Sequence, residues 1–183
     1  MTSPTALLTA EEYCRLPDNG QPTELVSGKI VTLSIPFPRN GQICSRVNRV
    51  VGNFVDGHCL GHLVSNRSAV ITEHDPDTVR GADIAFYSYA KVPKVPIPRG
   101  YLSVPPDVVF EVRSDDDRCK KILAKVAEYL NAGVTVVCVL DEPPPTIYVH
   151  TADQPVRILS ADQELFLPDV LPGLSVPVRG FFE

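Results

Sequence analysis

Apolar residues recur at helical spacing in two stretches of the chain, each long enough to cover one face of a sheet. The second predicted helix runs from about Arg118 to Ala132, with Gly133 just past its end. The first predicted helix ends at Gly57, and its apolar side carries Ile43, Val47, Val50, Val51, Phe54 and Val55. The polar residues Ser114 to Asp117 suit the start of the second helix, and we interpret Asp115, Asp116 and Asp117 as capping residues rather than ligands.

Strand-like runs surround these two helices. The predicted strands are Leu63 to Thr72, Val79 to Tyr87, Pro106 to Val112, Val134 to Leu140 and Thr146 to His150. The run from Val134 to Leu140 is continuously apolar, which is typical of a strand buried on both faces. The stretch from Lys91 to Pro106 holds five prolines and is predicted to be a long surface loop.

The two ends of the chain carry weaker signals. Thr9 and Glu12 form a capping box for a short helix that Pro17 ends, and Ser27-Gly28 separates two short apolar segments in the manner of a β-hairpin turn. The residues after His150 form short apolar pieces broken by prolines, and we expect a docked tail there.

The order of these elements predicts the fold class. A hairpin and a helix precede three strands, and a second helix and two further strands follow them. A three-stranded meander between two helices, closed by a strand after the second helix, gives an α/β fold with a mixed sheet and helices on its faces. A chain of 183 residues is the size of one domain with one core, so we expect a single domain over residues 1–183.

Composition narrows the class of protein. An apolar fraction of 44% and a charged fraction of 21% are those of an ordinary folded protein. No apolar run approaches the roughly 18–20 residues that cross a bilayer, and the first eight residues lack the pattern of a signal peptide, so we expect a cytoplasmic protein without a membrane partner. A net charge of −5 argues against nucleic-acid binding through bulk electrostatics, although it leaves local binding of a phosphate backbone open.

Two carboxylates interrupt predicted central strands. Asp83 lies within RGADIAF, and Glu111 lies within VVFEV. Acidic residues are depleted in strand interiors because a buried charge needs a counter-charge or a metal ion. The alternative is that Glu111 is structural and pairs with Arg113 or Lys125.

These segments together resemble a known family. The region that ends at Asp141 reads PDVVFEVRS, a polar gap, K-x-x-x-Y, AGV and a strand that closes on aspartate. EEY, ELVSGKIV and RGADIAF precede it in the same order and spacing. Nearly the whole chain thus resembles the Uma-type family of small bacterial proteins, which is assigned to the PD-(D/E)xK superfamily of restriction-endonuclease-like nucleases.

The resemblance implies a restriction-endonuclease-like core and a set of site residues. Asp83 and Glu111 would be the acidic pair, and they would hold Mg²⁺ or Mn²⁺ together with the backbone carbonyl of Val112. The superfamily lysine normally stands two residues after the glutamate, where this chain has Arg113. In the Uma-type branch it lies on the following helix, which points to Lys125.

Three further residues are candidates for supporting roles. Lys121 is the fallback lysine, and Tyr129 lies four residues after Lys125, so both can address the same sheet edge. Glu24 is either another acid of the site or a solvated charge at the end of a strand, and the sequence leaves these alternatives open.

The chain departs from the family pattern at two positions. Ala82 stands where the family usually has proline before the strand aspartate. Asn40 stands where the family often has histidine near the start of the first core helix, so an imidazole that contacts substrate or metal is missing.

The function that the resemblance implies is metal-dependent hydrolysis of DNA by an endonuclease or nickase that leaves 3′-hydroxyl ends and needs no organic cofactor. Two alternatives stay open. One is a catalytically inactive nuclease-fold protein that acts as a nucleic-acid or protein interaction module, and the other is a structural dimer whose buried acids pair with basic side chains. By analogy with compact nucleases that cut in pairs, we expect a homodimer.

Overall fold

The computed structural model describes residues 7–113 and 119–183, so Asp115, Asp116 and Asp117 lie outside the described residues. The helices are α1 (Ala10–Cys14), α2 (Pro38–His58) and α3 (Cys119–Asn131). The strands are β1 (Thr23–Val26), β2 (Lys29–Thr32), β3 (Gly61–Glu73), β4 (Thr78–Ser88), β5 (Val108–Val112), β6 (Val136–Asp141), β7 (Thr146–His150), β8 (Arg157–Ser160), β9 (Glu164–Leu167) and β10 (Leu171–Pro177). A 3₁₀ turn, Val178–Phe181, follows β10.

The N-terminal elements form as their local sequence predicts. The Thr9 amide donates to a carboxylate oxygen of Glu12 at 2.8 Å, and the Glu12 amide donates to the Thr9 hydroxyl at 3.2 Å, so the capping box of α1 is complete. Ser27 and Gly28 both have left-handed φ values, 48° and 71°, as the two central residues of a type I′ hairpin turn require.

One mixed sheet organises the molecule. Its strands follow the order β2-β1-β4-β5-β6-β7-β8, and β3 pairs with β4 outside that path. β5 and β6 are parallel and are connected through α3, whereas the other described strand pairs are antiparallel. The predicted α/β class with a central mixed sheet is confirmed.

Each long helix covers one face of this sheet. Ile43, Val47 and Val51 of α2 are buried in a cluster that includes Ile84 and Phe110. On the other face, α3 buries residues against Ala85, Val109 and Val137, and these residues are Ile122, Val126 and Tyr129. The alternation of side chains along β4 and β5 therefore decides which residues face α2 and which face α3.

The site lies where one edge of β4 has no neighbouring strand. β3 pairs with β4 along one edge, from Gly61 opposite Ser88 to Glu73 opposite Thr78. On the other edge, β1 pairs at Val79 alone and β5 pairs from Ile84 to Phe86. In the described register, residues 80–83 consequently have no strand partner on that edge, and their polar groups are available to side chains.

The predicted end of the first long helix is one residue too early. Gly57 does not end α2, because the helix continues to His58 and stops where Cys59 adopts a left-handed φ of 52°. The Leu60 amide then donates to the Val55 carbonyl at 3.0 Å, which satisfies an end carbonyl of the helix.

The predicted tail does dock on the core, but it is more ordered than its prolines indicated. β8 extends the main sheet, and β9 and β10 form a separate antiparallel pair. Leu165, Leu171 and Phe181 are fully buried in the same cluster as α2. These strands were missed because their pairing depends on partners that the local pattern does not name.

Within the described parts of the chain, no helix has both the length and the apolar character that crossing a bilayer requires.

Candidate active site

Asp83 and Glu111 lie side by side at the open edge of β4. Ile84 of β4 pairs with Phe110 of β5, so Asp83, just before Ile84, and Glu111, just after Phe110, are neighbours across the two strands where their pairing ends. One carboxylate oxygen of Asp83 accepts a hydrogen bond from the Val112 amide at 2.9 Å. Glu111 is 4% exposed, so its carboxylate is almost fully removed from water.

Helix α3 brings Lys125 and Tyr129 to this pair. The Lys125 ammonium lies 3.1 Å from a carboxylate oxygen of Glu111 and 3.2 Å from one of Glu24. It also donates to the Gly81 carbonyl at 3.3 Å. The Tyr129 hydroxyl donates to the same oxygen of Glu111 at 2.8 Å. The spacing of four residues places both side chains on one stripe of the helix, above the gap in β4.

Burial and neighbouring charges set the protonation states. Burial raises the pKa of Glu111 to about 7; Asp83 adds to the rise, while Lys125 opposes it. Burial alone would lower the pKa of Lys125, but Glu111, Glu24 and Asp83 outweigh it, so the net pKa lies above the usual value. Lys125 is therefore an ammonium at neutral pH, whereas Glu111 changes its charge near neutrality.

Glu24 belongs to the same polar cluster. Its carboxylate accepts from the Gly81 amide at 3.0 Å and from the Arg80 guanidinium at 2.8 Å. Burial favours a higher pKa for Glu24, but Lys125 and Arg80 outweigh it and the pKa is lowered. At 3% exposure, Glu24 is not a solvated charge, so that alternative is wrong.

Arg80 is a member of the cluster that the sequence interpretation missed. Its guanidinium binds both carboxylate oxygens of Glu128, at 2.5 and 2.7 Å, as well as Glu24. The signal was present, since an arginine between Val79 and Gly81 interrupts a strand as clearly as Asp83 does. The carboxylates of Glu24 and Glu128 thus hold the Arg80 guanidinium, and those of Glu24 and Glu111 hold the Lys125 ammonium.

The other candidates take different positions. Arg113 forms an ion pair with Asp141 at 2.6 Å, and Lys125 forms one with Glu111 at 3.1 Å. Lys121 is exposed and lines the same cleft without a described ion pair.

Asn40 lies at the site despite replacing a histidine of the family pattern. It is in the first turn of α2, and its amide donates to the Val112 carbonyl at 2.8 Å. This is the carbonyl that the resemblance assigns to the metal, and a carbonyl oxygen has a second lone pair. The contact orients the carbonyl from the α2 side, opposite the contacts made by α3.

An open cleft leads to the carboxylates. Its cavity volume is about 360 Å³. Its polar floor includes Asp83, Glu111 and Lys125, and residues 31–37, after the hairpin, form part of its wall. Within residues 7–113 and 119–183, no group of three or more His, Cys, Asp or Glu side chains is arranged to hold a metal ion. Two neighbouring carboxylates at an open cleft could still hold Mg²⁺, which contacts few protein groups and keeps several waters.

Comparisons with known proteins agree with this architecture. A crystal structure from Anabaena variabilis ATCC 29413, described as "a putative nuclease belonging to DUF820", superposes with a TM-score of 0.83 at 20% sequence identity, covering 96% of this chain and 97% of that chain. Comparison with curated proteins gives no match. The Uma2 family model, described as "Putative restriction endonuclease", matches residues 10–179. The chain belongs to the Uma2 family of restriction-endonuclease-like proteins.

Proposed function

We propose that this protein is a metal-dependent DNA endonuclease or nickase that hydrolyses phosphodiester bonds and leaves 3′-hydroxyl ends. One observation carries the proposal: Asp83 and Glu111, on the neighbouring strands β4 and β5, line an open cleft together with Lys125, whose ammonium lies 3.1 Å from Glu111. The family supports a nuclease-like function, and the site supplies the acidic and basic groups that such a reaction needs.

Asp83 and Glu111 fit a divalent cation such as Mg²⁺ or Mn²⁺. The proximity of Asp83 to Glu111 is one cause of the raised pKa of Glu111, and a bound cation would remove this repulsion. Asp83, Glu111 and the carbonyl of Val112 would hold the ion. When bound, it would supply charge neutralisation at the phosphate and a more acidic water.

Lys125 serves as a permanent positive charge rather than as a proton acceptor. Its raised pKa keeps it protonated across the neutral range, so it cannot act as a general base there. As an ammonium it orients the attacking water and stabilises the negative charge that develops on the phosphate. Tyr129 fixes the position of Glu111 through a hydrogen bond, and Glu24 fixes that of Lys125 through an ion pair.

The reaction requires one water and one phosphodiester. The water oxygen forms a bond to phosphorus, the bond between phosphorus and the 3′-oxygen breaks, and a proton passes to that oxygen. The products are a 5′-phosphate and a 3′-hydroxyl.

The second candidate is an inactive member of the family that binds nucleic acid or protein. The observation in its favour is that Lys125 already contacts Glu111, Glu24 and the Gly81 carbonyl, as a purely structural lysine would. The net charge of −5 also limits binding to DNA at a distance.

A homodimer is part of the proposal, because one site cuts one strand and a pair of sites cuts both. Measuring the mass of the protein in solution, with and without a DNA duplex, tests this point. If the protein is a monomer in both conditions, the homodimer is wrong, and the proposed activity is that of a nickase, which cuts one strand.

The test of the proposed function is incubation of the protein with supercoiled plasmid, in chelator and in Mg²⁺ or Mn²⁺. We expect open-circular or linear product only with the ion, and we expect the nicks to be sealed by DNA ligase because their ends are 5′-phosphate and 3′-hydroxyl. Glu111→Gln is the matched control, since it removes one acidic charge and preserves the shape of the side chain. Intact plasmid under all conditions would favour the inactive module.

A further inference from the structure

Arg67 occupies an unusual backbone position beside the site. The pairing of β3 with β4 shifts register between Ser65 and Ser68, which marks a β-bulge. Both residues of the bulge, Asn66 and Arg67, have left-handed φ values, 66° and 55°. Bulges of this kind redirect a side chain, and left-handed backbone is uncommon for a residue such as arginine. Here the redirected side chain is that of Arg67, which lines the cleft with Asp83 and Glu111.

The strand opposite the bulge makes room for it. Gly81 lies on β4 next to the bulge, and a Cβ atom built there would lie 3.0 Å from the Arg67 Cβ and 3.2 Å from its carbonyl oxygen. A side chain at position 81 would therefore push the bulge away from β4. Gly81 is the same residue whose amide and carbonyl contact Glu24 and Lys125.

The guanidinium of Arg67 has one buried nitrogen whose hydrogen bonds are not satisfied. Its Nη1 atom is buried and has no hydrogen-bond partner within the described part of the chain. Buried donors are normally satisfied, and an unsatisfied one in a folded protein calls for a ligand or another explanation.

The two other cations on the floor of the cleft are in the opposite situation. Arg80 is bound by Glu24 and by both oxygens of Glu128, and Lys125 is bound by Glu24 and Glu111. An incoming anion would have to compete with those carboxylates. Among these three, Arg67 is the cation with a buried donor still to be satisfied.

The charge of Arg67 lies within electrostatic range of the carboxylate pair. The pKa of the Cys44 thiol on α2 is raised to about 12, mainly by burial and in part by the charges of Asp83 and Glu111, while the charge of Arg67 opposes the rise. Arg67 thus approaches the site from the side of α2, whereas Lys125 approaches it from α3.

We propose that Arg67 binds a phosphate of the nucleic-acid backbone and positions the substrate in the cleft, with its buried Nη1 donating to a phosphate oxygen. This inference rests on the proposed function, because the phosphate that Arg67 would bind belongs to the DNA substrate of the proposed endonuclease. A guanidinium suits this task because its planar fork matches the geometry of phosphate oxygens and stays charged at all relevant pH values. Contacts of this type fix the position of a duplex without reading its sequence.

The experiment compares DNA binding by wild type, Arg67→Met, Arg67→Lys and the control Arg49→Met, which removes an exposed arginine of α2. Binding of two duplexes of unrelated sequence is measured in chelator between about 50 and 200 mM salt. We expect Arg67→Met to weaken both duplexes equally, by about tenfold, and to reduce the slope of log K against log salt by about 1. Arg67→Lys should recover the slope, and Arg49→Met should match wild type.

Thermal stability supplies a readout that separates binding from structure. Because Arg67→Met removes a buried donor that lacks a partner, its Tm should equal or exceed that of wild type. A lower Tm with an unchanged salt slope would make Arg67 structural and overturn the proposal. An unchanged affinity in Arg67→Met, or no DNA binding by wild type, would also overturn it.

Cleavage with Mg²⁺, assayed on the same proteins, keeps the two proposals distinct. If wild type binds DNA through Arg67 but does not cut it, the phosphate site stands and the endonuclease fails. If wild type cuts and Arg67→Met binds and cuts like wild type, the endonuclease stands and the phosphate site fails.

Discussion

At the scale of single residues, the site depends on how Glu111 and Lys125 share charge. The Glu111 side chain is buried and that of Lys125 is 19% exposed, so each charge would be costly without the other. Glu24 adds a second carboxylate to Lys125, and Tyr129 adds a hydrogen bond to Glu111. This arrangement keeps the lysine charged and leaves the glutamate as the group that titrates near neutral pH.

The pH dependence of stability tests the protonation state of Glu111. Its pKa is about 7 in the folded protein and 4.5 as its ordinary value, so the folded state holds the proton more tightly than the unfolded chain does. Protonated Glu111 therefore contributes its full stabilisation below pH 4.5, and this contribution is lost as the pH rises through 7. In chelator, we expect the free energy of unfolding of wild type, relative to Glu111→Gln, to fall by about 3 kcal/mol over this window. Denaturant titrations at several pH values measure it, and parallel profiles for the two proteins would contradict it.

Substitution of the two lysines of α3 tests which one acts on the substrate. Lys125→Met should lower the cleavage rate by roughly 10²- to 10³-fold, because the charge that stabilises the phosphate is lost. It should also cost about 3 kcal/mol of stability, since two buried carboxylates lose a partner. Lys121 is exposed and lies one turn earlier on α3. Lys121→Met should therefore cleave within a few-fold of the wild-type rate and should be about as stable as wild type.

Arg113→Met completes this comparison, because Arg113 stands where the superfamily lysine usually does. It pairs with Asp141, so we expect cleavage to be retained far better than in Lys125→Met. Cleavage rates measured at temperatures where each variant is folded decide the ranking. Loss of cleavage in Arg113→Met with retention in Lys125→Met would assign the role to Arg113.

At the scale of elements, the gap along β4 explains why the site is where it is. β1 and β5 each cover one end of the free edge of β4, and side chains of Glu24 and Lys125 contact the backbone of Gly81 between them. Strand polar groups that would otherwise pair with a neighbouring strand thus become part of the site.

The sequence predicted the elements that depend on local signals and missed those that depend on distant partners. The capping box at Thr9, the hairpin turn at Ser27-Gly28 and the helix that carries Lys125 all have signals within a few residues. Arg67 could not be found in this way, because its importance comes from a bulge that only the pairing of β3 with β4 creates. Arg80 is an intermediate case, with a visible charge in a strand but partners 48 and 56 residues away.

Gly81→Ala tests the close approach of β3 and β4. The added Cβ would lie 3.0 Å from the Arg67 Cβ, so β3 must shift, and we expect a loss of about 1–3 kcal/mol in the free energy of unfolding. Gly41→Ala is the control, because nothing lies within 4 Å of the corresponding Cβ in α2 and alanine favours a helix. Thermal or chemical denaturation compares the two variants, and equal stability would mean that the bulge tolerates a side chain at position 81.

At the scale of the whole molecule, an acidic protein is proposed to act on a polyanion. The net charge of −5 opposes long-range attraction to DNA, so binding has to rely on local cations, and a metal ion bound in the cleft would strengthen it. The carboxylates that contribute to the unfavourable charge are the same groups that the proposed ion would neutralise. Metal binding should therefore affect both the stability of the fold and its affinity for DNA.

The measurement that tests this account most directly is a thermal melt of wild type, Asp83→Asn and Glu111→Gln across a titration with Mn²⁺, because it needs no knowledge of the substrate. An ion that binds the folded state stabilises it by about 2.7 kcal/mol at a hundredfold excess over its dissociation constant. We expect wild type to show this gain, both variants to lose most of it, and Glu111→Gln without the ion to be at least as stable as wild type at pH 8. An equal response of all three proteins to Mn²⁺, or collapse of Glu111→Gln without it, would show that the two carboxylates are structural and do not bind the ion.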